Sequence, residues 1–207
     1  MPVRRKAIRR SLNADPFKRS IVAAAVARGR VVGWDRVRFS DVARELKVSV
    51  SEILRAYRDL DAVADAWFAR ATSAMADAGT RAAGRAPKAR LETAMLAWFD
   101  ALASERRVTA QMLRTKLYPA HPHHWVPMVF SLSRTIQLLR DVAGLGADGR
   151  RRQVEEIGLS ALFVAALGVW CRDETEGQKR TRAFIARWLA AADRALARPA
   201  IAKRSRI

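Results

Sequence analysis

FSDVARELKVSVSEILRAYR, from Phe39 to Arg58, places its apolar and small residues where two short helices joined by a tight turn need them. Side chains three and four apart share a helix face. Val42, Ala43 and Leu46 therefore line one side of a first helix, Val48 falls in the turn, and Ile53 and Ala56 form the inner side of a second. Ala43 is small, as a close crossing of two helices requires. The outward set of the second helix is Ser51, Glu52, Arg55 and Arg58. These polar and basic side chains are able to enter a DNA major groove and reach base edges or phosphates, which makes a helix-turn-helix DNA reader the expectation.

The flanks extend this pattern. Upstream, FKRSIVAAAVARGRVVGWDRVRFSDVA reads as a helix, a break at Gly33 and a loop, and downstream YRDLDAVADAWFARA runs without Gly or Pro into a long helix. This order closely resembles the N-terminal domain of the tetracycline-repressor family over Phe17 to Arg70. The resemblance implies an all-helical homodimer whose larger C-terminal domain binds a small ligand and thereby controls DNA binding. Against the family pattern, Arg38 stands where a small capping residue is usual, Lys47 where Gly is, Leu54 where Tyr is, and Leu60 where Lys is. A non-glycine residue in a left-handed turn costs about 1 kcal/mol, so Lys47 is tolerable. Leu54 and Leu60 remove two phosphate contacts, for which Lys47, Arg55 and Arg58 can compensate. The candidate DNA-contacting residues are Arg38, Lys47, Ser49, Ser51, Glu52, Arg55, Tyr57 and Arg58.

Composition agrees with a helical, polyanion-binding protein. The 207 residues suffice for one sizeable core or two small ones, and half of them are hydrophobic. Ala-, Leu- and Arg-rich text with few β-branched runs favours helix throughout. With 39 Lys or Arg against 20 Asp or Glu, the net charge is +19, and +11 of it lies beyond residue 70, so the basic field is not confined to the helix-turn-helix. Such a field draws nucleic acid and acidic membrane surfaces alike. Cys171 is the only cysteine, which excludes an internal disulfide and gives no sign of an oxidising compartment. A cytoplasmic setting is the expectation. The uncharged, apolar run Ile157 to Cys171 is 15 residues, shorter than the roughly 20 needed to span a bilayer, and reads as a core helix. The first ten residues hold five basic ones and no apolar run, unlike a secretory signal. They read as a flexible basic arm, with a transit peptide as the alternative.

Asp15 before Pro16 is a good helix start, and Phe17, Ile21, Val22 and Ala25 give the first helical stripe. Asp59 or Asp61 can cap a long helix to about Ala78, and GTRAAGRAP, from Gly79 to Pro87, is the clearest boundary. Helices then follow from Lys88, from Val108 to Leu117, along the Trp125, Val129, Leu132, Ile136 and Leu139 stripe, from Val154 to Trp170, and from Gln178 to Ala197. About nine helices fit an arm over 1–15, a helix-turn-helix domain over 16–60, a helical ligand-binding and dimerisation domain over 61–198, and a basic tail over 199–207. The Val154 to Trp170 segment is apolar almost all the way round and must be covered on several sides. Dimerisation through the last two helices, as the resemblance implies, assigns Leu162, Leu167, Trp170, Phe184 and Trp188 to the interface.

Catalytic and metal chemistry has little support. Gly144, Gly146 and Gly149 spell GxGxxG, but a dinucleotide site needs a preceding strand, so the segment reads as an interhelical loop. His121, His123 and His124 have no Cys or Asp nearby to complete a metal site, and no cofactor is expected. Glu155 and Glu156 are neighbours on a helix and cannot face each other as an acid/base pair. An enzyme is not expected. Trp98, Phe99, Leu102, Met112, Trp125, Phe130 and Phe163, drawn from separate helices, could instead line a pocket for a hydrophobic effector.

A second resemblance covers about forty residues, Val154 to Asp193. The text ALGVWCRDETEGQKRTRAFIARWLAAAD is similar to the C-terminal helices of the ubiquinone-biosynthesis accessory proteins, carried by Trp170, Asp173, Thr181, Phe184 and Arg187. Those proteins share the tetracycline-repressor fold but bind isoprenoid lipid, which implies the alternative of a quinone-pathway accessory protein with peripheral membrane contact.

Overall fold

The computed structural model describes residues 16–116 and 125–197, and among them there are nine α-helices and no strand. They are α1 (Pro16–Val32), α2 (Phe39–Leu46), α3 (Val50–Ala56), α4 (Leu60–Arg81), α5 (Pro87–Leu102), α6 (Arg106–Lys116), α7 (Trp125–Ala143), α8 (Gly149–Trp170) and α9 (Lys179–Ala197). The all-α expectation holds. The basic arm over 1–15, the tail over 199–207 and the His121, His123, His124 cluster lie outside the described residues.

The chain forms two compact units. The first gathers the described residues up to Ala71 and those from Leu102 to Trp125, and the second gathers Thr72–Ala101 and the residues from Val126 onward. In the first unit, α1 buries Ile21, Ala24, Ala25 and Val26. Gly33, at φ 88°, then turns the chain into the short 3-10 helix Trp34–Arg36, whose Trp34 is buried. The unit also contains α6, which the sequence-based division grouped with the ligand-binding domain. Periodicity identifies α6 as a helix but carries nothing about its neighbours. Thr109 on α6 accepts from the indole N–H of Trp67 at 3.0 Å, and Gly29 on α1 is so close to α6 that an added Cβ would stand 3.0 Å from Val108.

In the second unit, Trp98, Phe99, Phe163 and Trp170 pack ring against ring, with centroids 5.0 to 5.8 Å apart in edge, stacked and tilted pairs. Gly79 is not loop punctuation: it lies inside α4, buried, where a Cβ would come within 2.5 Å of Val142. Arg140 is buried between Glu155 and Glu156, at 3.3 Å from each, and also donates to the Ala147 carbonyl. The adjacent glutamates thus clasp the α7–α8 loop, and the GxGxxG segment within it is interhelical, with Gly144 at φ 71° and Gly149 at φ 56°.

α8 departs from the core helix read from sequence. Leu159, Leu162, Phe163, Ala166 and Trp170 are buried along one side, while Val154, Ile157 and Val164 are 66%, 70% and 52% exposed on the other. By length and composition alone it is also the one helix among the described residues apolar enough to cross a membrane. The uncharged run of 15 residues is shorter than the helix because Glu155 and Glu156 end it inside Gly149–Trp170.

Candidate nucleic-acid interface

The second helix of the pair, α3, is only seven residues long, so its ends must be fixed by specific groups. At its start Ser49 and Glu52 form a capping box. The Ser49 hydroxyl accepts from the Glu52 amide at 3.2 Å, and the Glu52 carboxylate accepts from the Ser49 backbone N–H and hydroxyl, each at 2.8 Å. The Ser49 backbone bond, then its hydroxyl, hold the Glu52 carboxyl below its ordinary range. Ser49 and Glu52 thus turn toward each other and brace the helix. The turn before them carries Lys47 at φ 56° and ψ 42°, left-handed as expected, with the Val48 N–H closing back on the Ala43 carbonyl at 3.0 Å.

Val42, Ala43 and Ile53 are buried at the α2–α3 crossing, which leaves Ser51, Leu54 and Arg55 facing outward on α3, with Lys47 exposed at its head. Leu54, 49% exposed, was not in the expected contact set; its place between Ser51 and Arg55 on the outer face is the signal that could have found it. An apolar side chain here suits a thymine methyl, and an arginine suits guanine or phosphate. Arg58 is exposed and pairs with Asp59 at 2.8 Å. Asp59 is the cap of α4, accepting from the Ala62 N–H at 2.7 Å. Tyr57 is half-buried, burial raises its pKa, and the Lys18 ammonium stands 6.0 Å from its ring.

Arg38 precedes α2 as its N-cap without a capping side chain, the departure noted in the sequence. It opens onto a groove of about 780 Å³ with Arg28, Arg36 and Arg44. Asp41 offsets two of these, Arg28 at 3.8 Å and Arg44 at 3.4 Å, whereas Arg36 and Arg38 have no acidic partner among the described residues. With Asp35 and Asp41 also in the lining, the four arginines leave the groove net positive, which attracts a phosphate backbone. Sequence reasoning missed Arg28, Arg36 and Arg44 because they converge on the groove from α1, the 3-10 turn and α2.

The expected ligand-binding residues divide between the two units. Trp98, Phe99 and Phe163 share the second unit, Leu102 and Met112 are buried in the first, Phe130 is 63% exposed, and the Trp125 side chain is outside the described residues. The expected dimer set divides likewise: Leu162 and Trp170 are core, Leu167 and Phe184 are half-buried, and Trp188 is 44% exposed.

No family model matches the chain, and no curated protein matches it. Solved structures do. A TetR transcriptional regulator from Nitrosomonas europaea ATCC 19718 is 35% identical, with a TM-score of 0.77 over 86% of this chain and 99% of that one. The chain belongs to the TetR family of transcriptional regulators. It is accordingly a DNA-binding regulator, and α2–α3 is its helix-turn-helix. Two more distant structures share the fold: a TetR regulator from Rhodococcus sp. RHA1, at 15% identity and TM-score 0.59 over 83% of this chain and 92% of that one, and PfmR from Thermus thermophilus, at 16% and 0.56 over 82% and 97%.

Within this TetR fold, Trp170, Asp173 and Thr181, which carried the accessory-protein resemblance, have a structural role. Asp173 accepts from the Thr181 N–H and hydroxyl at 2.8 and 2.7 Å, and the Trp170 indole donates to Gln178. They hold the α8–α9 corner, where Gly177 and Gln178 both have positive φ.

Proposed function

We propose that the chain acts as a homodimer that reads duplex DNA through Lys47, Ser51, Leu54 and Arg55, with Arg36, Arg38 and Arg58 on phosphate, and that a hydrophobic effector in the second unit modulates binding. The observation that carries the dimer is the outer face of α8. Val154, Ile157, Ala161 and Val164 recur at helical spacing and are exposed, and Gly158 on the same face has nothing within 4 Å of an added Cβ. A row of large apolar side chains open to water calls for a cover, and a second copy supplies one self-complementarily. Exposed Trp188 on α9 extends the set, which replaces the buried Leu162 and Trp170. The proposed effector site is around Trp98, Phe99 and Phe163, the expected residues that share the second unit. The function is regulatory rather than catalytic, and the cytoplasm is its proposed location.

Genomic fragments captured by the wild type supply the duplex for the test. Arg55→Ala should weaken specific binding by about 1–3 kcal/mol and flatten sequence preference, whereas Arg38→Ala should reduce affinity uniformly and lower its salt dependence. Unchanged binding in both variants sinks the assignment. In sedimentation, Val164→Asp places a charge twice at the two-fold contact and costs about 3–5 kcal/mol of association. A wild type that sediments near 23.1 kDa at micromolar concentration refutes the dimer.

A further inference from the structure

Between the last turn of α1 and the start of α6, both in the first unit, lies a cleft of about 360 Å³. Its volume is at the small end of ligand sites. One wall is apolar, formed by Val31, Val32 and Val108, and Val31 is 77% exposed at the cleft although it is a large aliphatic residue. The polar lining is Arg30, Ser104, Glu105, Arg107 and Gln111, a formal charge of +1. Arg107 is exposed and has no acidic partner among the described residues.

Hydrogen bonds from the cleft walls and beside them hold α6 to the segment that leads into the helix-turn-helix. Arg30 donates to both oxygens of Glu105, through Nε at 3.2 Å and through Nη2. Gln111 Oε1 accepts the Trp34 backbone N–H at 2.8 Å, and the Thr115 hydroxyl donates to Asp35 at 2.7 Å. Gly33, at φ 88°, forms part of the cleft and turns the chain into that segment.

We propose that this cleft binds a small organic acid with an apolar body, separately from the aromatic cluster of the second unit. The body lies on the valine wall and the carboxylate pairs with Arg107. The carboxylate also competes with Glu105 for Arg30, which loosens α6 from the Trp34–Arg36 turn and lowers DNA affinity. That last consequence rests on the DNA-reading function, whereas the site itself does not.

Two-dimensional amide spectra of the full-length protein test the site, with benzoate, phenylacetate and hexanoate as probes and benzamide as the neutral control. At least one acid should shift the Gly33 amide saturably while benzamide does not. Arg107→Gln should weaken that binding roughly tenfold, the value of one charge-assisted hydrogen bond, and Arg107→Lys should restore most of it. The proposal is overturned if none of the three acids moves Gly33 saturably, if benzamide matches them, or if Arg107→Gln leaves the titration unchanged. Binding to captured genomic duplex, measured with and without the acid, tests the consequence. A bound acid with unaltered DNA affinity removes the regulatory half, and failure to bind duplex at all removes the DNA-reading function while the Gly33 titration still decides the site.

Discussion

Replacing Asp173 tests whether the α8–α9 corner is held by one carboxylate. The side chain is fully buried and accepts four hydrogen bonds, from the Thr181 N–H and hydroxyl on Oδ2 and from the Thr175 N–H and hydroxyl on Oδ1. Thr175 is half-buried, so water can replace its partner, but Thr181 is fully buried and cannot be resolvated. Two charge-assisted bonds at about 1.5–3 kcal/mol each, less the relief of no longer burying a carboxylate, give about 4 kcal/mol for Asp173→Ala. Asp173→Asn keeps one acceptor for Thr181 and loses the other, about 2 kcal/mol. Urea unfolding followed by circular dichroism, at fixed protein concentration, measures both, and Asp173→Ala should also melt roughly 8–16 °C lower. Burial pushes this carboxyl up, but the four bonds outweigh it and hold the pKa well below the ordinary 3.8. A depressed native pKa stabilises fully above the unfolded value and is lost as pH falls through the acid range. The gap between wild type and Asp173→Asn should therefore narrow below about pH 4. A destabilisation of Asp173→Ala under about 1 kcal/mol, or a gap constant down to about pH 2, would refute the reasoning.

Gly79→Ala should destabilise by about 1–3 kcal/mol although alanine is the better helix former, because the new methyl meets Val142 at 2.5 Å; Val142→Ala in the same chain should recover most of the loss in the same urea assay. Lys47→Gly should raise stability by about 1 kcal/mol by relieving the left-handed backbone at φ 56°, while its lost cation weakens binding to captured duplex and lowers the salt slope by about one.

Much of the architecture was legible because it is local. Val42, Ala43, Val48 and Ile53 have the spacing of a crossing helix pair, and all but Val48 in the turn are buried in it. Lys47 was correctly placed in a left-handed turn, and of the two acids offered as the α4 cap, Asp59 and Asp61, it is Asp59 that accepts from the Ala62 N–H; both features depend on chain neighbours within a few residues. The outward positions of Ser51, Arg55 and Arg58 follow from the same 3.6-residue period.

What the period cannot give is the partner of each face. Glu52 has the sequence position of a base reader, and its carboxylate also accepts the N–H of Ser49 three residues earlier at 2.8 Å. Gly79 looks like a loop signal, and only Val142, 63 positions later in the chain, explains it as a close contact inside a helix. The seven aromatic and aliphatic pocket residues were equivalent as text, but tertiary packing put Phe99 and Phe163 against each other and left Phe130 in water. The same holds for α8, where sequence established an all-round apolar helix and the fold chose Leu162 and Trp170 for the core and Val154, Ile157 and Val164 for the surface. Helix formation and capping depend on groups a turn apart, so the sequence alone determined them. Burial depends on which distant side chains arrive at a face, and only the tertiary structure decides that.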